Sequence, residues 1–263
     1  MKVAFILSLL LAPFFQLNAA VTVLNYYRMG ESDSGAVAGN LSNNATNDSI
    51  GSKNLVRGNS PRYSSDIAYA SVRGAANQLS VSFNSSPQDY FSYNSPLSTV
   101  TTNFLLEAFV KPIDLTSSAR LVYNGSQFGS LNGYGFLSKN GTFMAAIGNG
   151  GGSLVTFGTA SATTEWVHLA IVRDISTATF YVNGVANATS AIAPTTPTGS
   201  FLIGSTGKVA GIDEVRFSVF SAGQFQTSDL LYQSIPEPST YMQFFIGALL
   251  LLPTRNYLTK LTF

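Results

Sequence analysis

An all-β fold is predicted, two antiparallel sheets packed face to face as a β-sandwich, and three observations predict it. Residues 164–184 (TEWVHLAIVRDISTATFYVNG) read as two extended segments joined by a polar break at Asp174, Ser176 and Thr177. In the first segment Trp166, His168, Ala170 and Val172 alternate with Val167, Leu169, Ile171 and Arg173; both sets are mainly apolar, which marks a central strand covered on both faces. Asn-Gly pairs at 124–125, 132–133, 140–141 and 183–184 supply turns that need positive φ. The composition agrees: with 23 Gly and only 10% charged residues, Ser, Thr, Asn and Gly carry the polarity, as in exported β proteins with many turns.

Taken in order, the chain opens with Lys2 and the apolar residues 3–15, the pattern of a secretory signal peptide over residues 1–20, with cleavage after Ala19 or Ala20. Residues 21–27 alternate as a first strand. Residues 42–73 are rich in Asn, Ser and Gly and weakly periodic, so they read as loop, with short strands near Leu55-Val56 and Ile67–Tyr69. Leu79, Val81 and Phe83 alternate as a strand. Residues 103–110 (NFLLEAFV) form a strong one, in which Glu107 lies among apolar neighbours as a hydrogen-bonded structural carboxylate. Short strands follow at 120–123, 133–137, 143–147 and 154–157, then the pair within 164–184 and a third segment at 185–189. Residues 201–204 and 211–217 complete the strands, and residues 227–233 suggest a short helical turn. Residues 149–153 (NGGGS) are a flexible loop and not a phosphate cradle, since no Lys-Ser/Thr follows.

Several of these segments resemble the laminin-G-like branch of the concanavalin A-like jelly-roll family. They are W-x-H-x-A-x-V-R-D (166–174) with F-Y-V-N-G (180–184), F-x-x-E-A-F-V-K-P (104–112), G-I-D-E-V-R (211–216), and G-E-x-D-x-G-A (30–36). The resemblance covers roughly residues 21–231 and is strongest in the second half. It implies one jelly-roll domain over residues 21–233. It also implies a calcium ion held at the sandwich rim, with Glu31, Asp33 and Asp213 as candidate ligands once the first strand pairs with residues 211–217. Oxygen donors of that kind suit calcium. Carbohydrate binding is the implied function, with Tyr90, Tyr93, Tyr123 and Tyr134 as candidate stacking residues and Phe91 and Phe128 beside them; strand aromatics are otherwise core.

Residues 234–263 form a separate module. Pro236, Glu237 and Pro238 precede an apolar run over residues 241–252, read as a short hydrophobic helix, and Arg255 and Lys260 follow. This resembles a PEP-CTERM sorting signal, with Pro236, Glu237 and Pro238 as the element read by an exosortase-type membrane protease. The run of about a dozen residues is shorter than the ~20 of a comfortable span. Leader, body and tail together imply an exported protein of a Gram-negative bacterium, transiently inserted in the inner membrane and destined for the surface or extracellular matrix.

Other chemistries are excluded or disfavoured. Without Lys2, Glu237, Arg255 and Lys260 the body is near neutral and has no basic run, which argues against nucleic acid. Zero Cys removes disulfides and thiolate sites, and a single His rules out a three-His zinc site. His168 lies mid-strand and reads as a structural histidine. No E-x-D-x-x-E places two carboxylates about 5–5.5 Å apart on one face, as retaining glycosidases require. Asp213 and Glu214 are strand neighbours, expected on opposite faces and therefore not a pair, with Glu214 free to meet Arg28 or Arg173. Seven N-x-S/T sequons (Asn40, Asn44, Asn47, Asn84, Asn124, Asn140, Asn187) follow from the Asn and Ser/Thr richness. The leading expectation is a non-catalytic adhesion module that binds an extracellular polysaccharide. The alternatives are a glycoside hydrolase or lyase with an unfamiliar site and a purely structural envelope protein.

Overall fold

Apolar residues at a two-residue period, interrupted by turns, are satisfied when strands pair antiparallel and two sheets close over one core. The structure, a computed structural model, describes residues 21–83, 88–116, 118–126, 129, 131–206 and 209–234. Residues 1–20, read above as a signal peptide, and residues 235–263, which hold Pro236, Glu237, Pro238 and the apolar run, lie outside the described residues, as do Asn84 and Phe128. No helix among the described residues is long and apolar enough to cross a membrane.

One sheet runs β16 (Val185–Ser190), β15 (Thr177–Val182), β14 (Val167–Asp174), β9 (Phe104–Pro112), β18 (Val209–Phe220), β7 (Ser80–Phe83), β4 (Arg62–Ser64). The first strand, β1 (Val21–Tyr27), joins this sheet beside β18, as the sequence suggested. It pairs with the second half of β18, from Tyr27 opposite Val215 to Val21 opposite Phe220, while β7 pairs with the first half up to Ile212. The strand therefore changes partner between Ile212 and Val215. The other sheet runs β13 (Leu154–Ser161), β12 (Thr142–Asn149), β11 (Asn132–Lys139), β10 (Ala119–Asn124), β17 (Phe201–Thr206), β8 (Tyr90–Tyr93), β3 (Leu55–Gly58), β2 (Ala45–Thr46). A small hairpin, β5 (Ser71–Val72) with β6 (Ala75–Ala76), stands apart from both.

Between the sheets, Phe104, Leu106, Ala108 and Val110 of β9, Leu169 and Ile171 of β14, and Ile212, Val215 and Phe217 of β18 meet Phe91, Phe136, Phe143, Ile147, Phe201 and Ile203. Each such side chain contributes about 1.5–3 kcal/mol on full burial. The opposite face of the first sheet is covered as well, as the two apolar sets of β14 predicted. Leu105, Ala170 and Val172 pack with Phe220 and Leu230, and Phe109 packs with Leu231, Tyr69 and Tyr232. The cover is residues 225–234, which form two 3₁₀ turns (Thr227–Asp229 and Leu231–Ser234) where a short helical turn was expected.

The predicted strand at Ile67–Tyr69 does not form. Ala68 and Tyr69 instead pack their side chains on Phe109 from the loop between β4 and Ser71–Val72. Hydrogen bonding to side chains organises the rest of residues 42–73. Asp48 accepts from Asn25 Nδ2 (2.6 Å) and from the amides of Tyr26 and Gly51 (both 3.0 Å), which outweigh its burial and hold its carboxyl below the ordinary range. The sequon at Asn124 is structural: the residue is buried, its amide oxygen accepts from Leu97 N and its Nδ2 donates to Ser98 O.

Candidate functional site

Beneath the 3₁₀ turns lies a buried charge cluster. Glu107, His168 and Arg216 are all 0% exposed. Arg216 Nε donates to Glu107 Oε1 at 2.6 Å, His168 Nε2 lies 2.8 Å from Glu107 Oε2, and the Leu231 amide donates to the same oxygen at 2.9 Å. Arg216 also donates to the Asp229 carbonyl. Glu107 is thus the structural carboxylate expected, and His168 is spent on it. The cluster is sealed from solvent and pins residues 229–231 to the middle of the sheet.

A second acidic cluster is open to solvent on one side. It sits where β18 exchanges β7 for β1. A β-bulge lies between Asp213 and Arg216, and Glu214 has φ +52°. The extra residue breaks the alternation, so Ile212 and Val215 point to the core while Asp213 and Glu214 both leave it. The expectation that these neighbours face opposite ways is therefore corrected. Glu31, from the turn after β1, completes the group: one carboxylate oxygen from each of Glu31, Asp213 and Glu214 lies within 4.8 Å of the other two. Glu31 Oε1 accepts from the amides of Gln78 (2.7 Å) and Leu79 (2.5 Å), which ties the turn to the start of β7.

Asp33 does not join them. Its oxygens accept from Asn47 N (2.7 Å) and Tyr63 OH (2.9 Å), and Glu214 occupies the place that the sequence reading gave to it. Glu214 pairs with Arg28 at 3.2 Å, one of the two partners foreseen, and accepts from Tyr26 OH. The other, Arg173, donates to the Ile192 carbonyl instead. Burial raises the Glu214 carboxyl to about 7 against the pull of Tyr26 and Arg28. Burial, then the charge of Glu214, raises Asp213 well above the carboxylate range, with the Asn77 amide opposing at 2.7 Å. Three buried oxygens here, Glu31 Oε2, Asp213 Oδ1 and Asn77 Oδ1, make no hydrogen bond. A polar cavity of about 430 Å³, lined by Arg28, Glu31, Asp33 and Gln78 among others, adjoins the cluster.

This donor set fits calcium. Two oxygens bound to one such ion at about 2.3–2.6 Å lie at most about 5 Å apart. Buried, unbonded oxygens on mutually repelling carboxylates are what a divalent cation relieves. The set fits acid/base chemistry poorly, because Asp213 and Glu214 are both 0% exposed and out of reach of a glycosidic bond.

The four candidate tyrosines separate. Tyr134 is core, stacked on Phe104 with centroids 3.7 Å apart and its hydroxyl donating to Val100 O. Tyr123 lies across Gly135, donates to Asn132 O at 3.0 Å and is 2% exposed. Neither can stack on a ligand, because alternation shows which residues share a face and not whether that face is covered. Phe91 is also core. Tyr93 is half-buried with Lys53 Nζ 5.7 Å from its ring centre. Tyr90 is half-buried and directed away from the core, its ring directly over Gly58, where a Cβ would sit 2.1 Å from the ring.

Two antiparallel sheets around an aromatic core define a jelly-roll sandwich of the concanavalin A type. The chain belongs to the Laminin_G_3 family of the concanavalin A-like lectin/glucanases superfamily, whose model matches residues 84–221. No curated protein matches the sequence significantly. Among solved structures, the chain is similar to domain 4 of AbnA, a GH43 extracellular arabinanase from Geobacillus stearothermophilus, in complex with arabinotriose. The identity there is 18%, the coverage 81% of this chain and 99% of that one, and the TM-score 0.52. It is also similar to the botulinum neurotoxin serotype D binding domain (13% identity, 82% of this chain, TM-score 0.58) and to the binding domain of Paraclostridial Mosquitocidal Protein 1 (13%, 82%, 0.57). The chain spans about half the length of these two toxin domains, 51% and 52%. At such identities the likeness is one of fold.

Proposed function

We propose that the protein is an exported, non-catalytic glycan-binding module of the cell surface or extracellular matrix, with calcium bound by Glu31, Asp213 and Glu214. The ion supplies positive charge between β18 and the turn after β1; the chain's own contribution is to hold three carboxylates together through the bulge at Glu214. Membership of a lectin and glucanase superfamily and likeness to a domain crystallised with arabinotriose support the glycan reading. The observation that carries it is Tyr90, a half-exposed ring seated over a glycine, the arrangement by which an aromatic offers one face to a sugar. Export by the leader and sorting by an exosortase-type protease at Pro236, Glu237 and Pro238 complete the proposal. It places the product at the surface of a Gram-negative bacterium, with extracellular polysaccharide as its partner.

Tyr90→Ala is expected to weaken oligosaccharide binding about 3- to 10-fold in calorimetric titration, the worth of one aromatic contact. Absence of binding to any oligosaccharide, neutral or acidic, would sink the glycan reading. Intact mass of the secreted product tests the processing: retention of residues 235–263 in a soluble product removes the sorting step.

A further inference from the structure

On the outer face of the first sheet the chain places its single tryptophan. Trp166 directly precedes β14, where Val167 pairs with Val110; Lys111, the next residue of β9, pairs on its other side with Gly211 of β18. Gly211 has no positive φ, so its backbone would take any residue. A Cβ there would lie 2.4 Å from Trp166 Cη2, so the indole itself is what excludes one. Trp166 is half-buried against the margin of the Val72, Phe109 and Leu231 cluster. Its Nε1 donates to Asp66 Oδ1 at 2.9 Å, and Lys111 Nζ donates to Asp66 Oδ2 at 2.7 Å. The Asp66 side chain is 50% exposed and that of Lys111 24%. One carboxylate thus holds an aromatic ring and an ammonium together at the surface. The loop that carries Asp66 is fastened independently: Ser80 Oγ donates to the Asp66 carbonyl at 2.6 Å, and Asn77 Nδ2 to the Tyr69 carbonyl at 2.9 Å.

We infer that Trp166, Asp66 and Lys111 form a second glycan contact, one that takes a neutral saccharide; this rests on the glycan reading above and adds a site to it. The indole offers apolar surface to the C–H face of a sugar ring. Lys111 keeps two N–H groups after bonding Asp66, and each Asp66 oxygen keeps a lone pair, so vicinal sugar hydroxyls accept from the one and donate to the other. The two charges cancel, which leaves no net field to favour an acidic sugar. Tyr90 lies on the other sheet and is directed away from the core, so the two contacts stand on opposite faces of the sandwich and a trisaccharide fills one or the other.

Because the chain has no other tryptophan, fluorescence reads this site alone. The full-length protein is titrated separately with arabinotriose, xylotriose and maltotriose, followed by calorimetry and by indole emission with acrylamide as quencher. At least one trisaccharide is expected to change the emission and shield the indole from acrylamide, and to bind equally at low and high salt. Its affinity at this site falls about 10-fold in Asp66→Ala and several-fold in Lys111→Gln, whereas Tyr90→Ala keeps the emission response. Thermal melting checks the fold of each variant; Lys111→Gln and the wild-type emission keep the test decisive if Asp66→Ala fails to fold. Calorimetric binding with no change in emission or quenching overturns the inference and leaves the glycan reading standing. So does an emission change that disappears in Tyr90→Ala, or one that follows the same affinity in Lys111→Gln, in a folded Asp66→Ala and in wild type. Binding of none of the three trisaccharides also overturns it, and the glycan reading falls with it only if acidic oligosaccharides fail as well.

Discussion

Glu107→Ala costs about 3–5 kcal/mol of folding stability, because it leaves the Arg216 guanidinium and His168 buried without their partner. Denaturant unfolding measures the loss. The same substitution releases the Leu231 amide, so hydrogen exchange at residues 229–233 accelerates more than in the strands. The pH dependence follows from the same group. Burial alone would raise the Glu107 carboxyl, but Arg216 first, and then His168, hold it below the ordinary range. Its contribution is therefore complete above about pH 4.3, the unfolded value, and disappears as pH falls through the lower folded value. Wild type is expected to lose stability steeply on acidification, and the variant's acid limb is flatter. A variant within about 0.5 kcal/mol of wild type at pH 7 would show that the cluster carries no net stability.

Calcium is expected to raise the melting temperature of wild type. At a concentration 100-fold above its dissociation constant an ion that binds only the folded state stabilises by about 2.7 kcal/mol, or about 5–10 °C for a domain of this size. Asp213→Asn abolishes that gain. In chelator, however, the variant is as stable as wild type or more so, because it removes one of three carboxylates that repel each other within 4.8 Å. This opposite pair of effects separates a cation site from a structural carboxylate. If Asp213→Asn is destabilised equally with calcium and with chelator, Asp213 serves only to hold Asn77, and the metal proposal fails.

Much of the architecture was readable from strand chemistry. The two apolar sets of β14 placed that strand at the centre of a covered sheet, and the pairing of β1 with residues 211–217 was expected, though at the sheet edge, whereas β18 lies in the interior between β9 and β7. The bulge was passed over. In I-D-E-V-R two acidic residues stand side by side between Ile212 and Val215, so the apolar positions fall three apart where a regular strand needs two, but nothing marks Glu214, rather than a glycine, as the residue that takes positive φ. Without the bulge Asp213 and Glu214 face apart, so the third carboxylate of the cluster was misassigned to Asp33 although the Gly-Glu-x-Asp turn had been singled out. Tyr123 and Tyr134 failed for a different reason: one fills the space between the sheets and the other fills the space above Gly135, and alternation is blind to both. Residues 42–73 resisted because hydrogen bonds that the Asp33 and Asp48 carboxylates accept from the amides of Asn47, Tyr26 and Gly51, rather than strand ladders, hold much of their shape.

The anchoring of residues 229–231 also decides how this molecule bears a load. A chain that left from an edge strand would peel the sheet open one ladder bond at a time. Here the last described turn is fastened over β9, β14 and β18, three interior strands, by Arg216 and Glu107. Tension entering from the C-terminal side meets the ionic rivet first, and the sandwich is pulled at its keel and not at its seam.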